Sequence, residues 1–354
     1  MTAALVQMTG LPPSASVAVM SLATRPLGST GLVVSRLGVG LAALGRPGYI
    51  TLGRAHDLPA ERTPEALYRR CADVLDAALA AGVRYVDAAR SYGRAEEFLA
   101  RWLAEQGSAA GAITVGSKWG YRYTADWRVD AAVHEEKELS QRRFDAQLAE
   151  SRALLGERLA LYQIHSATAE SGVLDDAPLL RALVGARRRG EVRALGLTLT
   201  GASARRTLDA ALACRVDGER VFDVVQATFN VLEPSLRDGL ATAHAEGLGV
   251  IVKEAHANGR LTPANTRPAD TALRSRLDRL AVEAGVPCDR LAIAYVAAES
   301  WADVVLSGAA TVEQLRSHAD GTEIALAPGL REDLAALAEA SGVYWGTRAS
   351  LPWS

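Results

Sequence analysis

Tyr85-Val86-Asp87-Ala88-Ala89-Arg90-Ser91-Tyr92-Gly93 is a short apolar run that ends on a carboxylate and then turns through a tyrosine and a glycine. Two later stretches have the same form. Ile113-Thr114-Val115-Gly116-Ser117-Lys118 closes on an ammonium, and Leu161-Tyr162-Gln163-Ile164-His165 closes on an imidazole. Runs this apolar, with little polar alternation, predict strands of a parallel sheet covered on both faces. Asp87, Tyr92, Lys118 and His165 then lie at or just past the C-terminal ends of successive strands.

Reading outward, the same unit recurs. Strands are expected at 37–41, 83–87, 112–117, 160–165, 192–199, 222–229, 248–252 and 303–307. Between them fall helical patterns, the first capped by Thr63 with Pro64 at its first position. The others are near 96–105, 141–155, 177–189, 203–215, 235–246, 270–285 and 288–300, with a short helix from Thr311 and a terminal one at 329–340. Arg25 to Val34 reads as a hairpin. Eight strand–helix units favour a closed (β/α)8 TIM barrel with an N-terminal β-hairpin and extra C-terminal helices. No GxGxxG follows the first strand, which counts against a dinucleotide-binding open sheet.

Composition narrows the class. The 354 residues are 49% hydrophobic with a net charge of −2, so nothing electrostatic points to nucleic acid or an anionic membrane. The chain holds no apolar run long enough to span a bilayer, and the expected location is cytoplasmic. Cys71, Cys214 and Cys288 are scattered and form no metal-binding pattern with the histidines, so no metal is expected. Residues 1–23 lack Lys and Arg and are broken by Pro12-Pro13. They read as a flexible leader, or as sequence upstream of a start at Met20, ahead of one domain spanning 24–354.

The four polar residues suggest a proton-transfer device. A phenol has an ordinary pKa of about 10, and a neighbouring ammonium lowers it by stabilising the phenolate. Asp87 would hold Lys118, and His165 would donate a hydrogen bond to a substrate oxygen. Each residue alone has a structural reading: a loop tyrosine, a strand-end ion pair, a core histidine. Their convergence on one barrel mouth favours chemistry. Hydride would have to come from a cofactor, because no side chain supplies it.

The chain resembles the aldo-keto reductases from about residue 24 onward. The resemblance rests on the opening Arg25-Pro26-Leu27-Gly28-Ser29-Thr30-Gly31, on the run from Asp87 through Tyr92-Gly93 to Glu96, and on Lys118 and Leu161 to His165. Gly190 to Gly196 and Gln226 extend it. It implies Tyr92 as general acid, assisted by Asp87, Lys118 and His165, with NADP(H) or NAD(H) as cofactor and a small carbonyl or alcohol as substrate. It further implies cofactor contacts at Thr198, Gln226, Lys253, Gly308, Ala310, Thr311 and Gln314.

Three departures qualify the resemblance. Thr198-Leu199 stands where the family has Ser-Asn, and Lys253 stands where it usually stacks an aromatic on nicotinamide. Thr311 replaces the cation that holds the adenosine 2′-phosphate, which weakens the case for strict NADPH use. Thr311 and Gln314 also form a capping box, a sufficient structural reason for both. The aromatic-rich loops predict a substrate pocket made by Tyr49, Trp119, Tyr121, Trp127 and Trp345, with Arg348 beside the last, suited to a polyhydroxylated or cyclic substrate. The expected activity is NAD(P)-dependent aldo-keto reduction or alcohol oxidation. The alternatives are a nucleotide-binding regulatory or scaffold subunit and a cofactor-retaining epimerase.

Overall fold

The computed structural model describes residues 22–354, and the expected leader lies, but for its last two residues, outside the described residues. Eight parallel strands close a barrel: β1 Leu37–Gly40, β2 Tyr85–Asp87, β3 Thr114–Trp119, β4 Leu159–Ala167, β5 Ala194–Leu199, β6 Val224–Thr228, β7 Gly249–Lys253 and β8 Val304–Ser307. Each pairs with its neighbours in sequence, and β8 returns to β1 through Leu306 opposite Gly38.

The pleat explains how a core and a site share one barrel. Side chains two apart on a strand face the same side. Tyr85, Leu161, Val224 and Ile251 form an apolar layer in the barrel interior. Two residues further along their strands stand Asp87, Gln163, Gln226 and Lys253, and Lys118 follows Gly116 in the same way. One interior surface therefore passes from apolar packing to polar chemistry over a single step of each strand. Val86, Val115, Tyr162, Leu195 and Val225 point outward and join the main core beneath the helices.

The hairpin of Thr24–Pro26 and Val33–Ser35 plugs the far end of this barrel, burying Leu27, Leu32 and Val34 in the interior cluster. Gly249 permits the approach, since a Cβ there would lie 2.6 Å from Leu27 Cγ. Gly116 does the same for Tyr85, whose hydroxyl would be 2.1 Å from such a Cβ.

The strand boundaries agree with the expected ones to within two residues, and the 141–155 helix matches end for end. Thr63 caps Pro64–Ala80 by accepting from Ala66 N at 3.2 Å. The 203–215 and 288–300 helices end early, at Ala213 and Ala297, and two further segments differ more. The expected terminal helix at 329–340 stops at Ala335, and a separate helix, Ser341–Ala349, follows. Between them Glu339 N donates to Leu232 O, and its carboxylate accepts from buried Arg260, contacts that hold the chain extended there. The loop after Lys118 is a second hairpin, Tyr121–Tyr123 against Glu135–Lys137. Among the described residues no helix is long and apolar enough to cross a membrane.

Candidate active site

Asp87, Lys118, Tyr92 and His165 do meet at the barrel mouth. Lys118, almost wholly buried, donates to Asp87 Oδ2 and to Ala88 O, the latter at 2.9 Å. Its Nζ lies 4.6 Å from the centre of the Tyr92 ring. The Tyr92 ring meets the His165 ring edge-on at 5.4 Å, and the Tyr121 ring also meets it at 5.0 Å. Asp87 Oδ1 accepts from Tyr85 OH at 3.1 Å and from Gln226 Nε2 at 3.0 Å. A fixed carboxylate thus anchors the ammonium from below.

The electrostatics differ from the sequence expectation in one respect. Burial, and then the Asp87 charge, push the Tyr92 phenol well above its ordinary value, with Arg46 opposing. Lys118 does not reverse this because its charge is taken up by Asp87. Tyr92 is therefore held as a neutral phenol, able to donate a proton. Burial and the cations Lys118 and Arg46 push His165 well below the usual imidazole range, so it is neutral as well. A neutral imidazole can still donate one N–H to an oxygen.

These groups face a cavity of about 650 Å³. Asp87, Tyr92, Tyr121, His165, Thr198, Gln226, Lys253 and Tyr49 all line it, as do Gly308, Ala310 and Gln314 at its other end. Lys118 stays behind Asp87. The other three expected substrate residues lie elsewhere. Trp119 is fully buried on the outer face of β3, 5.2 Å from Phe144. Trp127 packs on Phe98 and donates to Arg62 O at 2.7 Å, outside this cavity. Trp345 lies behind the cavity wall, 5.9 Å from Lys253 Nζ and 5.4 Å from Arg348 Cζ.

Several lining residues carried no clear sequence signal. Arg46, in the Gly/Pro-rich loop after β1, lies over Tyr49, Tyr92 and Trp353 at 4.9, 5.1 and 5.0 Å and pairs with Glu135. Trp353 stacks on His134 at 3.8 Å, and Ser354 exchanges backbone hydrogen bonds with Tyr49. Glu254 Oε1 accepts from Arg348 Nε at 2.9 Å and Nη2 at 2.6 Å, and this charge draws its carboxyl down to about 2 against the cost of burial.

The opposite end of the cavity could hold an anionic group. Space is open above Gly308, and the helix Val312–Thr322 begins beside it, where backbone N–H groups favour an anion. Asn258 Oδ1, on the cavity wall, is buried without a partner. Thr311 is not on the wall; it caps the helix by accepting from Gln314 N at 3.2 Å. Gln314 is held at both ends of its amide, by Ala310 N at 2.8 Å and Asp57 Oδ2 at 2.9 Å. Thr198 accepts from Ser166 N at 2.7 Å and keeps its hydroxyl proton to donate.

Comparison with known proteins agrees with this architecture. The profile of the aldo/keto reductase family matches residues 37–337. The chain belongs to the aldo/keto reductase family, whose members generally carry out NAD(P)H-dependent chemistry on small carbonyl compounds. Among solved structures, the holo form of an aldo-keto reductase from Bacillus halodurans is similar with a TM-score of 0.70 at 20% identity, over 90% of this chain and 97% of that one. A Pseudomonas aeruginosa structure assigned to the same family gives 0.62 at 21% identity, over 86% and 97%. No curated protein sequence gives a significant match.

Proposed function

We propose that this protein is a carbonyl reductase in which Tyr92 donates the proton and His165 orients the carbonyl oxygen. The observation that carries this reading is the placement of both rings on the wall of one cavity beside Asp87, with Lys118 buried behind Asp87. When bound, a reduced nicotinamide supplies the hydride. Gln226 and Thr198 are the residues suited to hold its amide, and the loop from Glu254 to Gly259 with the start of Val312–Thr322 would carry its phosphates. Tyr92, kept neutral, gives its proton as negative charge develops on the substrate oxygen. His165 donates a hydrogen bond to that same oxygen, and a fixed donor needs no rearrangement as the charge grows.

The cofactor reading favours NAD(H). Asp57, Asp289 and Glu313 line the end of the cavity by the helix start. Nearby Arg70 is spent on the carbonyls of Asp57 and Ala310, at 2.6 and 3.3 Å. A dianionic 2′-phosphate placed there meets carboxylates and lacks a charge-assisted partner. The substrate end, with Arg46, Glu135, Tyr49, Tyr121 and Trp353, mixes ring faces with fixed charges. That lining suits a hydroxylated carbonyl compound.

The test is oxidation of NADH and NADPH with a panel of hydroxylated and simple aldehydes. Turnover faster with NADH and with the hydroxylated set is the expected result. Tight cofactor binding with no turnover on any aldehyde would instead favour a nucleotide-sensing role.

A further inference from the structure

The charged groups around Lys253 do not balance. Lys253 ends β7 and lines the cavity with Tyr92 and His165. Its Nζ donates to Thr228 Oγ1 at 2.8 Å, and Thr228 in turn donates to Glu254 Oε2 at 2.8 Å. The nearest carboxylate oxygen, Glu254 Oε2, is 3.9 Å away, and the Glu254 charge is already engaged by the Arg348 fork. Asp87 is likewise committed to Lys118, and Arg46 to Glu135. Counted together, Lys253, Glu254 and Arg348 leave one positive charge, and it faces the cavity.

A cofactor that delivers hydride to a carbonyl held by Tyr92 and His165 has to bring its ring to within about 3–3.5 Å of the carbonyl carbon. Lys253 is on the wall of that same space, close enough for its charge to help depress His165. The oxidised ring is a pyridinium cation, while the reduced ring is uncharged. We propose that Lys253 is a redox-selecting residue, whose unbalanced ammonium makes the cavity hold the reduced cofactor in preference to the oxidised one. This rests on the carbonyl-reductase reading. Trp345, packed against Lys253 from the C-terminal helix, and the Thr228 hydroxyl fix the direction in which the ammonium points.

Two unit charges a few ångströms apart in a partly desolvated site repel strongly enough to separate the two affinities by about tenfold or more. The separation depends on the proton. Burial brings the Lys253 ammonium down to about 8, with Arg348 and Lys118 adding to the fall and Glu254 and Asp87 opposing it. Preference for the reduced form is therefore full below that pH and fades as pH rises through it. A protein loaded with reduced cofactor and carrying a neutral Tyr92 phenol is set for carbonyl reduction.

The experiment is a binding titration, without substrate, of NADH and NAD+ and of NADPH and NADP+. It uses intrinsic fluorescence and calorimetry on the wild type, Lys253→Met and Lys253→Arg. The wild type should bind the reduced form at least about tenfold tighter. Lys253→Met should lower that ratio chiefly by tightening the oxidised form, and Lys253→Arg should keep it. Between pH 6.5 and 9.5 the wild-type ratio should shrink while that of Lys253→Met stays flat. Equal weakening of both forms in Lys253→Met would mean that Lys253 holds a part common to both, and would overturn the proposal. So would a wild-type ratio unmoved by pH together with an unchanged ratio in Lys253→Met. Failure of the wild type to bind any of the four would instead remove the reductase reading on which the proposal stands.

Discussion

Lys118 lies beneath the Tyr92 ring, its Nζ 4.6 Å from the ring centre, while its hydrogen bonds go to Asp87 and Ala88. The ammonium therefore packs against the Tyr92 ring while its charge is held by Asp87. Removing either partner has a different consequence from removing Tyr92.

Tyr92→Phe deletes the proton donor and keeps the ring that packs on His165 and Arg46. Turnover should fall by about 10²–10⁴, the range for loss of a general acid. Cofactor affinity should change less than threefold or so, because no more than one hydroxyl is lost from the cavity wall. Steady-state kinetics with a cofactor titration checks this, and unchanged turnover would remove Tyr92 from the mechanism.

Asp87→Asn leaves the Lys118 charge buried without a counterion. Breaking such a pair costs about 3–5 kcal/mol. Denaturant unfolding should show that loss for Asp87→Asn and a large part of it restored in Asp87→Asn/Lys118→Met. A double variant no more stable than the single would show that the cost lies in the other hydrogen bonds to Asp87, from Tyr85, Gln163 and Gln226.

Glu254 sets an acid limit. Its carboxyl is held at about 2, against an ordinary 4.5, by Arg348 and Lys253 in opposition to burial. The folded form thus releases this proton more readily than the unfolded chain. The resulting stability is present above about 4.5 and is lost as pH falls toward 2. One pKa unit corresponds to about 1.4 kcal/mol, so the effect is roughly 3 kcal/mol. Glu254→Gln should make the fall in stability between those limits shallower, with other paired carboxyls such as Asp270 keeping the remainder; a variant profile that falls as steeply as the wild type would refute the assignment.

The carboxylates near the helix start should set cofactor choice. Glu313→Lys, or Asp57→Ser with Thr311→Arg, should tighten NADPH binding by about tenfold while NADH binding changes little. Equal effects on both would place the 2′-phosphate elsewhere. Thr311→Arg alone also removes a cap worth about 1 kcal/mol, which thermal unfolding separates from the binding change.

Much of this was legible because strands announce themselves. Apolar runs such as Tyr85 to Asp87 and Gly249 to Lys253 place their polar ends on the barrel interior whatever the surrounding loops do. Trp119 lies outside the cavity, buried against Phe144, and the pleat decides this. With Lys118 pointing inward, the next residue on the strand must point outward, toward Phe144. Arg46, Glu135 and Trp353 were not legible in the same way, because three separate segments must come together before any of them has a partner. Nor could local sequence show that Gln314 turns to Asp57, a contact between the first loop and the last barrel helix.

The seam between β1 and β8 brings together the earliest and latest strands of the barrel. During synthesis, β1 through β7 can form only an open sheet with two unpaired edges. Those edges are sticky toward any other extended chain until residues 304–307 arrive to occupy both. Shortened forms lacking β8 are therefore expected to aggregate rather than to persist as smaller active barrels. The last strand thereby covers both edges at once, since a growing chain without it leaves both edges of the sheet open.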